Sequence, residues 1–272
     1  MKISVVTPSF NQDKYIERTL LSVLNQKGDF DLEYIVMDWG SKDSTIDILD
    51  NVKSQVEKGE FQTNCNSISF SYISEKDKWQ SDAINKGLKL ATGDILTYLN
   101  SDDTYEAWCL QQVADKLWQS DAKWNYGKCK IVDQNDKEIR KWITSYKNFL
   151  SRKYSYSKLL SENFISQMTV FWKREAMEEV GYFDKDEHLC MDYEYWLRLG
   201  SKYSPLYIDE HLANFRFYTD SKSGSSFSQQ FKDELRNAKK YADGKYKLAL
   251  FVHKFNYYKI VVIYKIMAFL GI

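Results

Sequence analysis

The chain opens on a β-branched, apolar run, Lys2 to Thr7, that stops at Pro8. From Lys14 to Leu24 the apolar residues Tyr15, Ile16, Leu20, Val23 and Leu24 then recur at helical spacing. A strand, a loop and a helix are predicted. The alternation repeats with Leu32 to Met37 before a helix from about Ser44, Ser69 to Ile73 before a helix from about Ser81, and Asp94 to Leu99 before a helix over Tyr105 to Trp118. Strands alternating with helices predict an α/β fold around a parallel sheet. Open parallel sheets bind ligands beyond the carboxyl ends of their strands, so the residues just after each strand carry the chemical information.

Beyond residue 120 the pattern changes. Strand-like segments at Lys123 to Val132, Glu138 to Ser145 and Met168 to Trp172, with a helix around Asp192 to Leu199, predict an α+β continuation rather than further crossovers. No Pro-, Gly- or Ser-rich linker separates the halves, so one domain over residues 1–225 is expected. A polar stretch, Thr219 to Ser228, leads into two basic helical segments, Phe231 to Tyr241 and Tyr246 to Phe269, expected to form a C-terminal helical appendage over residues 226–272.

Charge removes one class of function. The 272 residues carry 38 Lys+Arg against 38 Asp+Glu, so no basic field is available to displace counterions from a nucleic acid. With 43% hydrophobic and 16% aromatic residues the chain can bury a substantial core and is not disordered. Four cysteines form no CxxC pair and the N-terminus reads as a strand rather than a leader, which points to a reducing, cytoplasmic compartment. Ile260 to Ile272 is the longest apolar stretch; Lys265 interrupts it, and it falls short of the roughly 20 residues that span a bilayer. Lysines at 247, 254, 259 and 265 among Phe, Tyr, Ile and Val suit two arrangements. One is peripheral contact with the inner face of the cell membrane; the other is packing on the domain or on a second copy.

Asp38 directly follows the second predicted strand, and Asp102 and Asp103 follow the fourth, so the three carboxylates should converge at one sheet edge. Adjacent carboxylates repel unless a cation or a hydrogen-bond network compensates, and hard cations such as Mg²⁺ or Mn²⁺ favour carboxylates together with substrate phosphates. On the residues alone, Ser101, Asp102 and Asp103 fit a metal-diphosphate site and the cap of the next helix equally well in kind.

The wider string adds Thr7-Pro8-Ser9-Phe10-Asn11, the runs Tyr34 to Thr45, Ser74 to Leu88, Ala91 to Asp94 and Tyr98 to Asp103, and later Phe171 to Arg174, Val180 to Asp184 and Met191 to Arg198. In this order the segments resemble family 2 glycosyltransferases, over roughly residues 1 to 225. That resemblance implies a GT-A fold, with a Rossmann-like nucleotide-binding half before a mixed-sheet acceptor half. It also implies inverting transfer from a nucleotide-diphosphate sugar, uridine-based, to a cell-surface glycan or lipid-linked oligosaccharide, as in polysaccharide biosynthesis. Asp38 would receive the base, beside Thr7, Pro8 and Phe10; Asp82 and Ser101 would face the nucleotide sugar.

The family's Asp-x-Asp metal motif falls on Asn100, Ser101 and Asp102, so the expected Mn²⁺ or Mg²⁺ ligands become Asp102 and Asp103. Where a histidine often completes the metal shell stands Tyr218, and Trp39 follows the base-binding Asp38, where it would narrow the pocket. His211 reads as a loop residue. Asp192 occupies the place of the general base, with Glu194 the next candidate. Gln167, Arg216 and Lys222 are expected to contact diphosphate or acceptor. Asn100 and Tyr218 also suit a catalytically weak nucleotide-sugar binding protein of the same fold. A sugar-phosphate nucleotidyltransferase would want a Gly-rich loop that TPSFNQDKY lacks.

Overall fold

The computed structural model describes residues 1–61, 63–76, 78–218 and 227–270, with the backbone alone at 227, 228, 260 and 263–270. Four parallel strands form one half of the sheet: β1 (Lys2–Ser9), β2 (Asp31–Asp38), β3 (Ser67–Ser74) and β4 (Ile95–Tyr98), in the spatial order β3-β2-β1-β4. Helices α1 (Ile16–Leu24), α2 (Thr45–Glu57) and α3 (Gln80–Leu90) make the crossovers. From Ile3 onward every residue of β1 is buried, as expected where helices cover both faces of a strand. Edge strand β3 buries only Phe70, and its serines face solvent. The close seat of α3 on the sheet explains Gly87, since a Cβ there would collide with Val6 and press on Met37. The chain leaves β1 in both directions across the sheet, so a crevice opens beyond the carboxyl ends of β1 and β4.

The same eight-stranded sheet continues with β5 (Thr104–Tyr105), β6 (Trp124–Val132), β7 (Phe171–Lys173) and β8 (Leu206–Arg216) in the order β4-β7-β6-β8-β5. Pairing is antiparallel across β4-β7, β7-β6 and β8-β5, and parallel across β6-β8. The helix expected over Tyr105 to Trp118 starts late, because Thr104 and Tyr105 pair with Asn214 and Ala213; α4 (Cys109–Val113) then runs into one π-helical turn. Glu138 to Ser145 is not a strand. Only Glu138 bridges Val132, Arg140 turns the chain in the left-handed region at φ 51°, and α5 (Lys141–Ser151) follows. Shorter helices α6 (Tyr156–Ser161) and α7 (Arg174–Val180) flank β7.

Helix α8 (Met191–Lys202) is held against this second half by aromatic packing. Trp124 stacks on Trp196 with ring centroids 6.1 Å apart, and Phe183 stacks on Tyr195 at 4.2 Å. Each such pair adds about 0.5–1.5 kcal/mol beyond the area it buries. Buried Glu194 pairs with Arg198, which also donates to the carbonyls of Val180 and Tyr182 and so ties α8 to the turn after α7. Breaking a buried pair from one side costs about 3–5 kcal/mol.

The C-terminal helices are part of this body. On α9 (Phe227–Tyr241) Ala238 is fully buried, Arg236 pairs with Glu187 and the Tyr241 hydroxyl donates to Glu194. On α10 (Lys247–Leu270) a ring nitrogen of buried His253 meets the Leu160 carbonyl at 2.8 Å. The expected appendage therefore packs on the domain. Its outer face still exposes Leu248, Phe251, Phe255, Tyr258 and Val262. No described helix is long and apolar enough to cross a membrane.

Candidate functional site

The crevice is a cavity of 960 Å³ lined from both halves of the chain. Pro8, Ser9 and Phe10 enter it from the end of β1, Trp39 from the end of β2, and Asn100, Ser101 and Asp102 from the loop after β4. Asp192, at the start of α8, lines the same cavity, as do Gln167 and residues of the C-terminal helices.

Asp38 organises the nucleotide end from below. It is fully buried; its oxygens accept from the Ser41 backbone N–H at 2.9 Å, the Ser41 hydroxyl and the Ser74 hydroxyl at 2.6 Å. Ser41 Oγ in turn accepts from the Asn11 backbone N–H, and Asn11 Oδ1 from the Lys42 N–H, both at 2.8 Å. Asn11 sits at φ 50°, a left-handed conformation that asparagine tolerates and most residues do not. The loops after β1 and β2 are thereby one hydrogen-bonded unit that carries the Phe10–Trp39 pair, ring centroids 4.6 Å apart, at the cavity mouth. Thr7 does not form this wall, because its buried hydroxyl pairs with the Tyr34 phenol at 3.1 Å. Nor does Asp82 face the cavity: Lys185 takes its carboxylate and holds it below the usual carboxylate range.

The two carboxylates after β4 point different ways. Asp102 lines the cavity and accepts from the Tyr218 hydroxyl at 2.9 Å, whereas Asp103 turns inward, accepting from the Arg216 backbone N–H at 2.9 Å and from Asn100 Nδ2 at 3.2 Å. Burial, then the neighbouring Asp102 charge, push the Asp103 carboxyl far up; burial raises Asp102 as well. Asp103 is therefore removed from the expected ligand pair. The inward turn also gives Asn100 a role, since its Nδ2 donates to Asp103, a contact that an ionised carboxylate at that position could not make. Arg216, expected on the diphosphate, is a buried strut. Its guanidinium donates to the carbonyls of Asp102 at 2.8 Å and Asp133 at 2.7 Å and pairs with Asp136. Gln167 does reach the cavity wall and anchors the end of β4 by donating to the Tyr98 carbonyl at 2.7 Å. Lys222 lies outside the described residues, and His211 belongs to strand β8 rather than a loop.

In the second half of the chain Asp192 accepts from the Tyr193 N–H at 2.8 Å. Glu194 is committed to Arg198 and Tyr241 and does not line the cavity, so it is no substitute base. A residue not singled out from the sequence stands nearby: Glu234 of α9, buried, accepting from Asn163 Nδ2 at 3.1 Å. Trp79 and His188, ring centroids 4.3 Å apart, complete the rim between the halves.

The model of the Glycosyl transferase family 2 matches residues 4–181, which include β1 to β4 and both loops after β2 and β4. The chain belongs to glycosyltransferase family 2. A second model, Glycosyl transferase family group 2, matches residues 95–271. Among curated relatives, TuaG of Bacillus subtilis, whose name assigns it provisionally to teichuronic acid biosynthesis, is 26% identical over 83% of this chain and 82% of its own length. The GalNAc(5)-diNAcBac-PP-undecaprenol beta-1,3-glucosyltransferase of Campylobacter jejuni is 28% identical over 68% of this chain and 62% of its own. An uncharacterized glycosyltransferase of Nostoc is 31% identical over 51% of this chain, and the match spans 40% of that protein. S. aureus TarS 1-349 in complex with UDP-GlcNAc superposes with a TM-score of 0.63 at 19% identity, over 90% of this chain and 67% of that one. At such identity the likeness establishes the fold, which is GT-A.

A mannosyltransferase of Pyrobaculum calidifontis, TM-score 0.61 at 18% identity over 93% of this chain and 72% of that one, was solved with GDP-Man and Mn²⁺. In the family 2 chain no group of three His, Cys, Asp or Glu side chains is placed to hold an ion among the described residues. The carboxylate of Asp102, half-buried at the cavity wall, nevertheless fits a divalent ion shared with a diphosphate, since such ions often take one or two carboxylates and complete their shell with phosphate oxygens and water. Tyr218 keeps its proton, because burial and Asp102 raise its phenol, and so acts as a donor to Asp102.

Glu234 gives the site a pH signature. Burial first, and the charge of Asp192 in addition, push its carboxyl from 4.5 to about 7, against the opposing Asn163 hydrogen bond and Lys147 charge. A folded-state value above the unfolded one means that its stability contribution is complete below about 4.5 and is lost as pH rises through about 7. Glu234→Gln removes that titration. The melting temperature of the wild type relative to the variant should therefore fall steadily across this window in calorimetry, and a difference independent of pH would contradict the assignment.

Proposed function

We propose that the chain is an inverting glycosyltransferase that moves a sugar from a nucleotide-diphosphate donor, of the UDP type, to a hydroxyl of a cell-surface glycan or lipid-linked oligosaccharide. The observation that carries this reading is that Asp102, from the loop after β4, and Asp192, from the start of α8, line one cavity. The UDP-GlcNAc bound in TarS and the undecaprenol-linked acceptor in the name of the Campylobacter relative support the donor and acceptor classes.

In this reading the base stacks at the Phe10–Trp39 mouth, and its imide hydrogen reaches Asp38 once the Ser41 hydroxyl yields its place. The diphosphate lies along Ser101 and Asp102. A divalent ion held there by Asp102 would neutralise charge on the departing diphosphate. Asp192 accepts the proton of the acceptor hydroxyl as that oxygen forms its bond to the anomeric carbon and the carbon–oxygen bond to the diphosphate breaks. Attack from the face opposite the leaving group inverts the anomeric centre, and no sugar–enzyme bond forms. The apolar outer face of α10, flanked by Lys247 and Lys254, would lie in the headgroup layer, where a lipid-linked acceptor is found.

Asp192→Asn preserves shape and the contact to the Tyr193 N–H but removes the proton acceptor. Transfer from UDP-sugar should fall by roughly 10² to 10⁴, with UDP affinity and melting temperature unchanged; retention of more than about a tenth of turnover would put the base elsewhere. UDP binding without any transfer in the wild type would instead favour a binding protein. Asp102→Asn should abolish the Mn²⁺-dependent part of UDP affinity in calorimetry, whereas Asp103→Asn should leave that dependence intact and act on melting temperature. In liposome flotation, a Phe251→Glu, Phe255→Glu double variant should detach from anionic vesicles that hold the wild type, and equal flotation would end the membrane reading.

A further inference from the structure

The cavity continues past Asp192 into a pocket walled by helices α5, α9 and α10 and the segment after α6, none of which the donor needs. Three polar contacts fasten α5 and α10 to the end of α6. Tyr146 donates to Glu162 at 3.2 Å, and Asn256 donates to Glu162 and to the Ser161 carbonyl at 3.3 Å, while Lys259 donates to Asn256 within α10 at 3.1 Å. At 960 Å³ the whole cavity stands near the top of the ~300–1,000 Å³ range of small-molecule sites, as two substrates side by side would require.

Two side-chain atoms in this wall are buried without a hydrogen-bond partner among the described residues, Asn163 Oδ1 and Thr144 Oγ1. Buried polar atoms are nearly always paired, so an unpaired one beside a cavity marks the place of a missing ligand atom or water. Asn163 has already committed its amide nitrogen to Glu234, which fixes the orientation of the free oxygen. Next to these acceptors stands an aromatic surface: Trp142, 64% exposed, lines the cavity with Tyr146 and Tyr257. An indole left that open on a cavity wall gains by being covered.

We propose that this wall is a subsite for a neutral pyranose of the acceptor, seated by Asn163, Glu234 and Trp142. The inference rests on the transferase reading above. A pyranose presents hydroxyl donors at its edge and apolar C–H groups on its faces, which match carboxylate and amide oxygens beside an aromatic plane. Glu162, Glu234 and Asp192 on this wall are formally balanced by Arg140, Lys147 and Lys259, which suits a neutral, hydroxyl-rich ring. The Asp192 charge also reaches Glu234.

Saturation-transfer NMR on the full chain, with UDP and Mn²⁺ present, tests the subsite using the methyl β-glycosides of glucose, N-acetylglucosamine and N-acetylgalactosamine. At least one glycoside should receive saturation at its ring protons. Glu234→Gln and, separately, the surface variant Trp142→Ala should cut that signal by roughly fivefold or more, as loss of one good contact does, with UDP affinity preserved in both and the melting temperature preserved in Trp142→Ala. No transfer to any glycoside, transfer untouched by both variants, or inorganic phosphate displacing the bound glycoside would overturn the proposal. UDP bound with no glycoside would remove the subsite and leave the donor site standing. A glycoside bound without UDP would keep the subsite and remove the nucleotide-sugar reading.

Discussion

A carboxylate with no water around it must be satisfied by hydrogen bonds, and at Asp38 that requirement shapes everything above it. Its oxygens are met by Ser41 and Ser74, so the ends of β2 and β3 are drawn to one point. Ser41 passes the constraint to Asn11, and the loop after β1 is fixed to the loop after β2. The mouth of the cavity is thus set before any ligand arrives. Preorganisation of this kind spares binding energy that would otherwise be spent ordering loops. The cost is that Asp38, fully buried, could accept from a ligand only by exchanging a partner it already has.

Arg216 applies the same logic to the second loop. With its guanidinium on the carbonyls of Asp102 and Asp133 and its backbone N–H on Asp103, it fixes the turn that presents Asp102 while sealing Asp103 below. One buried cation so determines which of two adjacent acids faces the cavity. The same residue joins β8 to the loop after β4, so the second half of the sheet holds the cavity-facing carboxylate of the first.

The first half of the fold was legible because parallel strands buried on both faces leave unbroken apolar runs, as in Ile3 to Val6 and Tyr34 to Met37. In the second half, Lys141 to Ser151 mixes β-branched and aromatic residues that suit a strand, yet Trp142, Tyr146 and Phe149 lie on one helical face. Strand β8 is broken by the adjacent polar residues Asp209, Glu210 and His211, all exposed, and escaped notice for that reason. Asp102 and Asp192, singled out by motif order, both line the cavity. Motif order could not tell Asp102 from Asp103, since side-chain direction within a turn depends on Arg216, 113 positions further on. Glu234 was hidden by reading the C-terminal helices as an appendage, although alanines at 238 and 242, one helical turn apart, are a sign of close packing.

The order of segments along the chain separates two ends of the cavity. The lining residues from the ends of β1, β2 and β4 all precede Asp103, while α9 and α10, which help close the far pocket, begin at Phe227, beyond residues 4–181 of the first family match and within residues 95–271 of the second. Substitutions that reshape α9 and α10 therefore change the far pocket and leave the Asp38 network, held by residues 11 to 74, in place.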